Sequence, residues 1–421
     1  MNCKKKLALI GFGRRAYWLI QESLPDVLKN ANFEIAAVCD HYEDRIAQAQ
    51  QMAEEFTGSK PYGTTDYRQI LADPEISAVI ITAAWEAHIP MAIAAMRAGK
   101  HVGLEVGGAY TLEDCWDLIR TYEETGIHCM MLENCCYGRE ELMALNMVRQ
   151  GLFGDVVHCA GGYCHDLRDE VSEGKENRHG RLRNYMNRNC ENYPTHELGP
   201  IAKVLDINNG NRLVTLTSTA SCAKGLRTYI AEHRPADDPL VNYEFAQGDI
   251  ITTVIKCAKG QTIVLTLDTT LPRAYSRGFT VRGTKGSYFE DNKMVFLDNA
   301  HHEHENDAFP IWNNAQTYRE EYDHPIWKDY DPQGGHDGMD FLVFSAFLEA
   351  VAAGKRPPID TYDTATYMCI TPLSEESILK GSAPVMIPDF TRGKWYYRDD
   401  IADLKYNLDR LNACEAYYDN K

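Results

Sequence analysis

Apolar residues in the first third of the chain fall into short runs that alternate with longer amphipathic segments. The runs have the length of buried strands and cover residues 7–10, 35–39, 78–81, 101–104 and 129–132. The segments between them predict helices at residues 43–56, from 66–67 onwards, at 88–98 and at 112–125. Short buried strands alternating with helices are typical of a parallel sheet covered on both faces. We therefore predict an α/β fold with a doubly wound parallel sheet.

Beyond residue 133 the pattern changes, because strand-like runs follow one another without long helical segments between them. These runs cover residues 156–163, 213–218, 250–256, 262–267 and 279–282. Consecutive strands indicate a mostly antiparallel open sheet with helices on one face, and the apolar segment 339–353 predicts a buried late helix. With 421 residues and 44% hydrophobic content, the chain can bury two cores. We predict one domain over residues 1–132 and an α+β domain over residues 133–421.

The first predicted strand runs directly into the sequence Gly11-Phe12-Gly13-Arg14-Arg15-Ala16. Gly11 permits a tight turn, Gly13 admits a pyrophosphate close to the backbone, and Ala16 lets the following helix pack on the strand. The second strand ends at Asp40, whose carboxylate can accept both ribose hydroxyls and would repel a 2′-phosphate. These features predict a Rossmann domain with NAD as cofactor. The alternative is a glycine turn in a fold that binds nothing.

Composition limits the classes of partner that the protein can bind and the cellular compartment in which we expect it. The formal net charge of −18 argues against nucleic acids and anionic membranes, since both bind basic surfaces. The thirteen cysteines contain no Cys-x-x-Cys pair, and no stretch is long and apolar enough to span a bilayer. We therefore expect a soluble, cytoplasmic protein with reduced thiols. The run His301-His302-Glu303-His304-Glu305 could hold a metal, but in a polar loop we expect it to be solvated and predict no metal.

Polar residues follow three of the predicted parallel strands where each strand ends. They are Thr82 to His88, then Glu105-Val106-Gly107-Gly108, and then Glu133-Asn134. The carboxyl ends of parallel strands meet at one edge of a sheet, so we expect these residues to surround one crevice with the glycine turn. Trp85 and His88 could cover the cofactor there, or they could cap and pack their own helix.

The second half of the chain carries tyrosine and histidine pairs that could move protons. Pro194 is suited to the first turn of a helix, which would place Tyr193 just before that turn and His196 within it. Tyr163 and His165 alternate along a strand and so share a face. A His and a Tyr at a cleft can exchange protons with a sugar hydroxyl. The cationic run 178–183 could clamp a substrate oxygen or pair with surface carboxylates.

These motifs resemble the Gfo/Idh/MocA oxidoreductase superfamily, which includes glucose–fructose oxidoreductase and inositol dehydrogenase. Its sugar dehydrogenases carry Glu-Lys-Pro where this chain has Glu105-Val106-Gly107, so the motif lysine is missing. The local motifs are similar to those of glycoside hydrolase family 109, the NAD-dependent α-N-acetylgalactosaminidases, in which a serine is expected at Gly107. The matching stretches are residues 105–109, 133–137, 162–168, 193–196, Tyr275 with 278–279, 335–340 and 371–375.

The resemblance assigns site residues by their position in these motifs. It implies that NAD is contacted by Gly11, Gly13, Arg14, Arg15, Asp40, Trp85, His88, Glu105, Val106 and Asn134. It implies that the sugar is contacted by Tyr163, Arg181, Tyr193, Pro194, Thr195, His196 and Tyr275. Glu133 and His165 would join Tyr163, Tyr193 and His196 as catalytic residues.

The resemblance also implies how a hydrolase uses NAD. Transient oxidation at C3 of the sugar acidifies the C2 proton, a base removes that proton, and the aglycone leaves from C1. Water then adds at C1 and C3 is reduced again. We assign the C3 hydroxyl proton to His196 with Tyr193 and the C2 proton to Tyr163. Arg181 would either stabilise the enolate charge or orient the substrate.

Two other functions stay open at the level of the sequence. One is an NAD-dependent sugar or polyol dehydrogenase that releases NADH, and the other is a non-catalytic protein that binds NAD or a sugar. In each case the partner is a small molecule. The resemblance further implies a homo-oligomer formed through the sheet of the C-terminal domain.

Overall fold

The computed structural model describes residues 4–298, 300, 311–328, 330–398 and 403–409, so the histidine-rich run 301–305 lies outside the described residues. Within that range, backbone contacts divide the chain into two compact units. Unit 1 contains residues 4–137, 330–366 and 403–409, and unit 2 contains residues 138–328 and 367–398 with the same gaps. The predicted domain boundary between residues 132 and 133 stays a prediction.

The strands are defined by their backbone pairing. In chain order they are β1 Lys5–Ile10, β2 Phe33–Cys39, β3 Tyr62–Thr64, β4 Ile76–Ile81, β5 His101–Leu104, β6 Cys129–Met131, β7 Val156–Cys164, β8 Leu213–Ala220, β9 Ile250–Cys257, β10 Thr262–Asp268, β11 Thr280–Gly283, β12 Gly286–Phe289, β13 Met294–Leu297 and β14 Val385–Met386.

The helices connect and cover these strands. In chain order they are α1 Arg14–Trp18, α2 Leu24–Ala31, α3 Glu43–Thr57, α4 Tyr67–Ala72, α5 Trp85–Arg97, α6 Leu112–Thr125, α7 Arg139–Arg149, α8 Arg168–Ser172, α9 Arg181–Asn187, α10 Thr195–Val204, α11 Gly225–His233, α12 Ala315–Tyr322, α13 Pro325–Lys328, α14 Met339–Ala353, α15 Thr361–Met368 and α16 Ile370–Leu379. No helix among these described segments is long and apolar enough to cross a membrane.

Unit 1 is built on a six-stranded parallel sheet in the order β3-β2-β1-β4-β5-β6. This order reverses at β1, which is the topological switch point where such sheets bind ligands. Backbone hydrogen bonds fix the strand ends at this edge, from Gly11 N to Cys39 O at 2.7 Å and from Thr82 N to Ile10 O at 2.9 Å. The predicted doubly wound parallel sheet is confirmed.

Helix α14 belongs to unit 1 although it lies late in the chain. Its predicted bounds match the structure, and most of its side chains are buried. A methyl group added at Gly103 of β5 would lie 3.0 Å from the ring of Phe347, so α14 packs closely against that strand. The chain enters α14 through three residues in the left-handed region, His336, Asp337 and Gly338.

Unit 2 is built on a second sheet, in the order β13-β12-β11-β7-β10-β9-β8-β14. Strands β7 and β10 pair in parallel and the remaining neighbours pair antiparallel, which confirms the mostly antiparallel sheet. Along β9, Ile251, Thr253 and Ile255 are buried, while Thr252 and Val254 between them are exposed. One face of the sheet is therefore packed within the unit and the other is open.

A close approach of α10 to β7 positions the polar residues at the end of β7. A methyl group added at Gly161 would lie 2.8 Å from Cβ of Glu197, so the glycine allows the helix to lie directly on the strand. Tyr163 is two residues further along β7 and His196 precedes Glu197, so this contact brings the two predicted motifs together.

Some elements differ from the sequence prediction. Helix α5 begins at Trp85, three residues before the predicted start at residue 88, and continues through Pro90. Proline lacks the backbone N–H that would donate to the carbonyl four residues earlier, so the helix continues past Pro90 without that one hydrogen bond. The short strands β3, β12, β13 and β14 were not predicted, because two to four residues give too little periodicity to detect.

Candidate active site

The glycine turn of unit 1 leaves space beside its backbone. Gly11 has φ 95°, and an added methyl group would lie 2.6 Å from Ala83 N, so the fold itself requires glycine there. Gly13 is different, because an added methyl group would meet only Arg45 Nη1, at 4.0 Å, and its φ is ordinary. The space at Gly13, at the N-terminus of α1, fits the close approach of a dinucleotide pyrophosphate.

Asp40 lies directly beside this turn. Its carboxylate is buried and accepts hydrogen bonds from the backbone N–H groups of Phe12, at 2.6 Å, and Tyr42, at 2.9 Å. Each oxygen keeps a further acceptor position. A fixed negative charge here suits the ribose diol of NAD and disfavours a 2′-phosphate, so the residues present fit NAD. Arg14, the first residue of α1, is exposed beside the same turn.

Arg15 joins the ends of several strands in unit 1. Its Nε donates to Glu105 Oε1 at 2.9 Å, and Nη1 and Nη2 donate to the two carboxylate oxygens of Asp340 at 2.7 and 2.8 Å. Asn134 Nδ2 donates to Asp340 Oδ1 at 2.8 Å. Arg15, Glu105 and Asn134 were predicted together, whereas Asp340 was missed. Its one signal in the sequence was its place in the matching stretch 335–340.

These contacts set the charges of the cluster. Burial disfavours the ionised form of Asp340, but the Arg15 guanidinium more than offsets it and holds the pKa of this carboxyl well below its usual range. Burial likewise opposes the charge of Arg15, and Glu105 and Asp340 together raise its pKa nevertheless. Both groups are therefore ionised at neutral pH.

Trp85 and His88 occupy different environments on α5. The half-buried indole of Trp85 lies against the backbone of Gly107. His88 is 1% exposed, and its Nε2 lies 2.9 Å from Ala83 O. Burial lowers the pKa of His88 to about 4, so the ring is neutral and Nε2–H donates to that carbonyl. In this structure His88 stabilises the turn before its own helix.

The two remaining predicted residues of unit 1 are also buried. Val106 is 7% exposed, and its backbone N–H lies 3.2 Å from Oε2 of Glu105. Glu133 is fully buried after β6, and its Oε1 accepts a hydrogen bond from Cys135 N at 3.0 Å. The structure thus places Val106 and Glu133, like Asn134, at the carboxyl ends of β5 and β6.

Unit 2 gathers the predicted sugar-site rings into one cluster. The ring of Tyr163 lies 4.3 Å from that of Tyr193 and 5.4 Å from that of His196, and Tyr193 and His196 are 4.9 Å apart. Tyr163 Oη lies 3.3 Å from His165 Nδ1, and the His165 ring is 5.1 Å from that of Tyr275. Tyr275 is about half exposed, so the cluster extends from the interior to the surface.

Arg181 supplies the positive charge of this cluster. Its guanidinium carbon lies 5.4 Å from the centre of the Tyr193 ring, and Nη1 lies 3.7 Å from Oε1 of Glu170. Burial raises the pKa of Tyr163, and Arg181 opposes that rise. Burial and the same guanidinium both lower the pKa of His165. The cluster therefore holds a neutral phenol and a neutral imidazole beside a fixed cation. The imidazole can accept a proton, and the cation can stabilise an oxyanion.

The segment before α10 fixes the position of Tyr193 and His196. Pro194 caps α10 and Thr195 is its first residue, close to the predicted arrangement, and both are buried. Two residues before Tyr193, Glu191 is anchored by its backbone, whose N–H donates to Ser374 Oγ at 2.8 Å. The Glu191 carboxyl is 1% exposed, and burial raises its pKa to about 8. Sequence reasoning did not assign it a role.

Two protein families match this chain, one over its N-terminal region and one over most of the remainder. The family described as "Oxidoreductase family, NAD-binding Rossmann fold" matches residues 5–133, and "Glycosyl hydrolase 109, C-terminal domain" matches residues 137–397. Among solved structures, a levoglucosan dehydrogenase in complex with NADH and levoglucosan is similar with a TM-score of 0.67, at 19% identity over 92% of this chain and 100% of that chain. At that identity the likeness shows the fold alone.

Curated relatives match along nearly the whole chain. An "Alpha-N-acetylgalactosaminidase" of Tannerella forsythia is 38% identical over 419 residues, which cover 93% of this chain and 87% of the relative. A "Glycosyl hydrolase family 109 protein" of Stenotrophomonas maltophilia is 39% identical over 425 residues, covering 94% of this chain and 91% of the relative. The chain belongs to glycosyl hydrolase family 109, and it is a glycoside hydrolase with an NAD-binding Rossmann domain.

Proposed function

We propose that this protein hydrolyses α-N-acetylgalactosaminides or closely related glycosides by transient oxidation, elimination, addition and reduction. The observation that carries the proposal is the contact of Tyr163, Tyr193 and His196 beside Arg181, since this route needs two proton transfers and one stabilised oxyanion. The substrate class is supported by the name of the Tannerella forsythia relative.

Residues of unit 1 hold the cofactor in this proposal. Gly13 gives the pyrophosphate access to the backbone, Asp40 accepts the ribose hydroxyls, and Arg15, Glu105 and Asn134 bind through their shared cluster. Arg14, Trp85, His88 and Val106 complete the proposed contacts. When bound, NAD supplies a reversible oxidation of the sugar at C3, so no net redox change accompanies hydrolysis.

Residues of unit 2 carry the proton transfers. His196, oriented by its contact with Tyr193, accepts the proton of the C3 hydroxyl and later returns it. The phenol of Tyr163 passes its proton to Nδ1 of His165, 3.3 Å away, as its oxygen takes the proton from C2. The electron pair of that C–H bond forms the C1–C2 double bond, and the aglycone leaves C1 with the electrons of the glycosidic bond. Arg181 stabilises the enolate oxygen. Water then adds its hydroxyl at C1 and its proton at C2, so the balance is that of hydrolysis.

In this proposal the sugar site is also formed by Pro194, Thr195 and Tyr275. His165 orients the phenol of Tyr163 through the contact of 3.3 Å between Tyr163 Oη and His165 Nδ1. The carboxylate of Glu133, fixed by the N–H of Cys135, is proposed as a further acceptor in the reaction.

The test is hydrolysis of aryl glycosides in heavy water without added cofactor. Release of the phenol, deuterium at C2 of the product sugar and no accumulated NADH would support the proposal. NADH formed in stoichiometric amounts from a free sugar would indicate a dehydrogenase instead. Phenol release without deuterium at C2 would indicate direct hydrolysis and would contradict the roles given to Tyr163 and His196.

We further propose that the protein forms a homo-oligomer through the open face of the unit 2 sheet. Val254 on β9 is 44% exposed on that face, with Thr252 and Lys256 exposed beside it. Exposed β-branched residues on an open sheet face suit contact with a second copy of the chain. We expect Val254→Glu to lower the molar mass measured by light scattering, while Leu379→Glu, at an exposed helix end, leaves it unchanged.

The state of the cysteines supports a cytoplasmic location. All eleven cysteines among the described residues are free thiols, and ten of them are buried. Free thiols persist in reducing compartments. Fractionation of the native cell with an antibody against the protein tests this proposal, and recovery outside the cytoplasm would contradict it.

A further inference from the structure

The carboxylate of Asp340 is enclosed by three side chains of unit 1 that make four polar contacts with it. Oδ1 accepts hydrogen bonds from Arg15 Nη2 and Asn134 Nδ2, each at 2.8 Å. Oδ2 accepts one from Arg15 Nη1 at 2.7 Å and lies 2.8 Å from His336 Nδ1. The residue is 2% exposed. Because an ionised carboxyl offers about four acceptor positions, these contacts leave Asp340 little capacity to bind a ligand itself.

Two carboxylates orient the guanidinium of Arg15. Asp340 binds it through two parallel hydrogen bonds, and Glu105 Oε1 accepts from Nε at 2.9 Å. Every guanidinium nitrogen thus has an acceptor, which fixes the plane of the group as well as its charge. The direction in which Arg15 extends from α1 therefore depends on Asp340.

The local backbone conformation directs the side chain of Asp340 toward Arg15 and Asn134. His336 and Asp337 have φ of 52° and 54°, and Gly338 has φ of 89°, after which α14 begins at Met339. Residues other than glycine rarely adopt this conformation, so surrounding contacts must hold them in it. A methyl group added at Gly338 would lie 2.8 Å from Tyr330 Oη, so the turn is also tightly packed. It places Asp340 in the first turn of α14 with its carboxylate buried.

We propose that Asp340 is a positioning residue of the NAD site, which holds Arg15 and Asn134 in the conformations from which they bind the cofactor. The inference rests on the proposed cofactor contacts of Arg15 and Asn134. Asp340 connects the helix after β1 with the segment after β6, and through Arg15 with the end of β5. Its loss therefore weakens binding of NAD itself, whatever glycoside the protein hydrolyses.

The test is equilibrium binding of NAD⁺ and NADH to Asp340→Asn after removal of bound nucleotide, with no glycoside present. Asparagine has nearly the shape of aspartate, but its N–H₂ group would face the N–H donors of Arg15 and Asn134. We therefore expect both dissociation constants to rise at least about tenfold. Asp323→Asn is the matched control, because Asp323 is a buried partner of Arg139 in unit 2. It should lower stability to a similar degree and leave both dissociation constants unchanged.

A milder variant and a double-mutant cycle complete the test. His336→Ala removes one contact from the same carboxylate at a half-exposed side chain, and we expect a rise of about threefold in both dissociation constants. If Asp340 acts through Asn134, Asn134→Ala in the Asp340→Asn background should add little further loss. Unchanged dissociation constants in folded Asp340→Asn and His336→Ala, or fully additive losses in the cycle, would overturn the proposal. Failure of the glycosidase assay alone would not affect it.

Discussion

The indole of Trp85 lies so close to Gly107 that a methyl group added to the glycine would be 2.6 Å from the indole Cδ1. Gly107 also has φ 153°, within the range that favours glycine. The serine that family resemblance predicts at this position would therefore require the indole to move. In this chain the glycine and the tryptophan form a matched pair at the end of β5.

We expect Gly107→Ala to displace the Trp85 indole and to weaken NAD binding. The clash adds to the backbone strain, so the free energy of unfolding should fall by about 1–3 kcal/mol. The measurement is the change in tryptophan fluorescence and in the dissociation constant of NAD, made in the native chain and again in a Trp85→Phe background. In that background the fluorescence change should disappear.

Gly126→Ala is the control for backbone strain alone. Gly126 has φ 69° at the end of α6, and an added methyl group would meet no atom within 4 Å. Its alanine variant should lose about 1 kcal/mol of stability without any change in NAD affinity. Equal loss of NAD affinity in both variants would show that the Trp85 contact does not matter for the cofactor.

The nucleotide-binding half of the chain could be predicted from the sequence because its signals are local. Gly11, Gly13 and Asp40 lie at fixed positions relative to two short apolar runs, and the structure places them together as expected. Asp340 could not be predicted in the same way. Asp340 lies 325 residues from Arg15 in the sequence. No local periodicity could therefore predict that a carboxylate in the late helix α14 contacts a residue in the first turn of α1.

The sugar-site cluster was only partly predictable. Alternation along β7 placed Tyr163 and His165 on one face, and Pro194 indicated where α10 begins. The contact between the two motifs depends on α10 packing over Gly161, which is a tertiary contact between separate segments. Nothing in the sequence indicated that Glu191 is buried, because glutamates are mostly exposed in folded proteins.

Tyr163→Phe should abolish the proposed removal of the C2 proton while preserving the cluster. The ring contacts with Tyr193 and His196 stay, and only the hydroxyl near His165 Nδ1 is lost. We expect turnover of an aryl glycoside to fall by about 10²–10⁴-fold, the usual contribution of a positioned acid or base. Deuterium exchange at C2 in heavy water should fall in parallel, and NAD affinity should stay unchanged.

Tyr229→Phe is the matched control for loss of a tyrosine hydroxyl elsewhere in unit 2. Its ring faces Arg168, a contact that phenylalanine preserves. Turnover should be close to that of the native chain. If Tyr163→Phe also kept near-normal exchange at C2, another group would have to be the base.

His196→Ala should stop the reaction at its first step. Without the imidazole, the C3 hydroxyl has no proton acceptor in the proposed scheme, so NADH should not form transiently after mixing with substrate. Stopped-flow absorbance of the reduced nicotinamide measures this directly. Near-normal turnover of this variant would show that the C3 proton goes elsewhere. His233→Ala, on an exposed helix end of unit 2, is the control and should leave the transient unchanged.

Glu191→Gln should stabilise the protein, and more so as the pH rises. Burial raises the pKa of Glu191 from its ordinary 4.5 to about 8, so the folded chain keeps a proton that the unfolded chain loses in this window. The free energy of unfolding of the native chain therefore carries a contribution that decreases as pH rises from about 4.5 to about 8 and is constant above that. Glutamine has no proton to lose, so this contribution disappears in the variant.

The measurement is the free energy of unfolding in urea for both proteins at a series of pH values. The two should differ little near the ordinary pKa of 4.5 and should diverge up to about pH 8, with the variant more stable. Glu124→Gln, on the exposed side of α6, should follow the native profile at every pH. A constant difference between native and Glu191→Gln across the series would mean that Glu191 is ionised when folded. Glu191, two residues before Tyr193, would then be a buried negative charge.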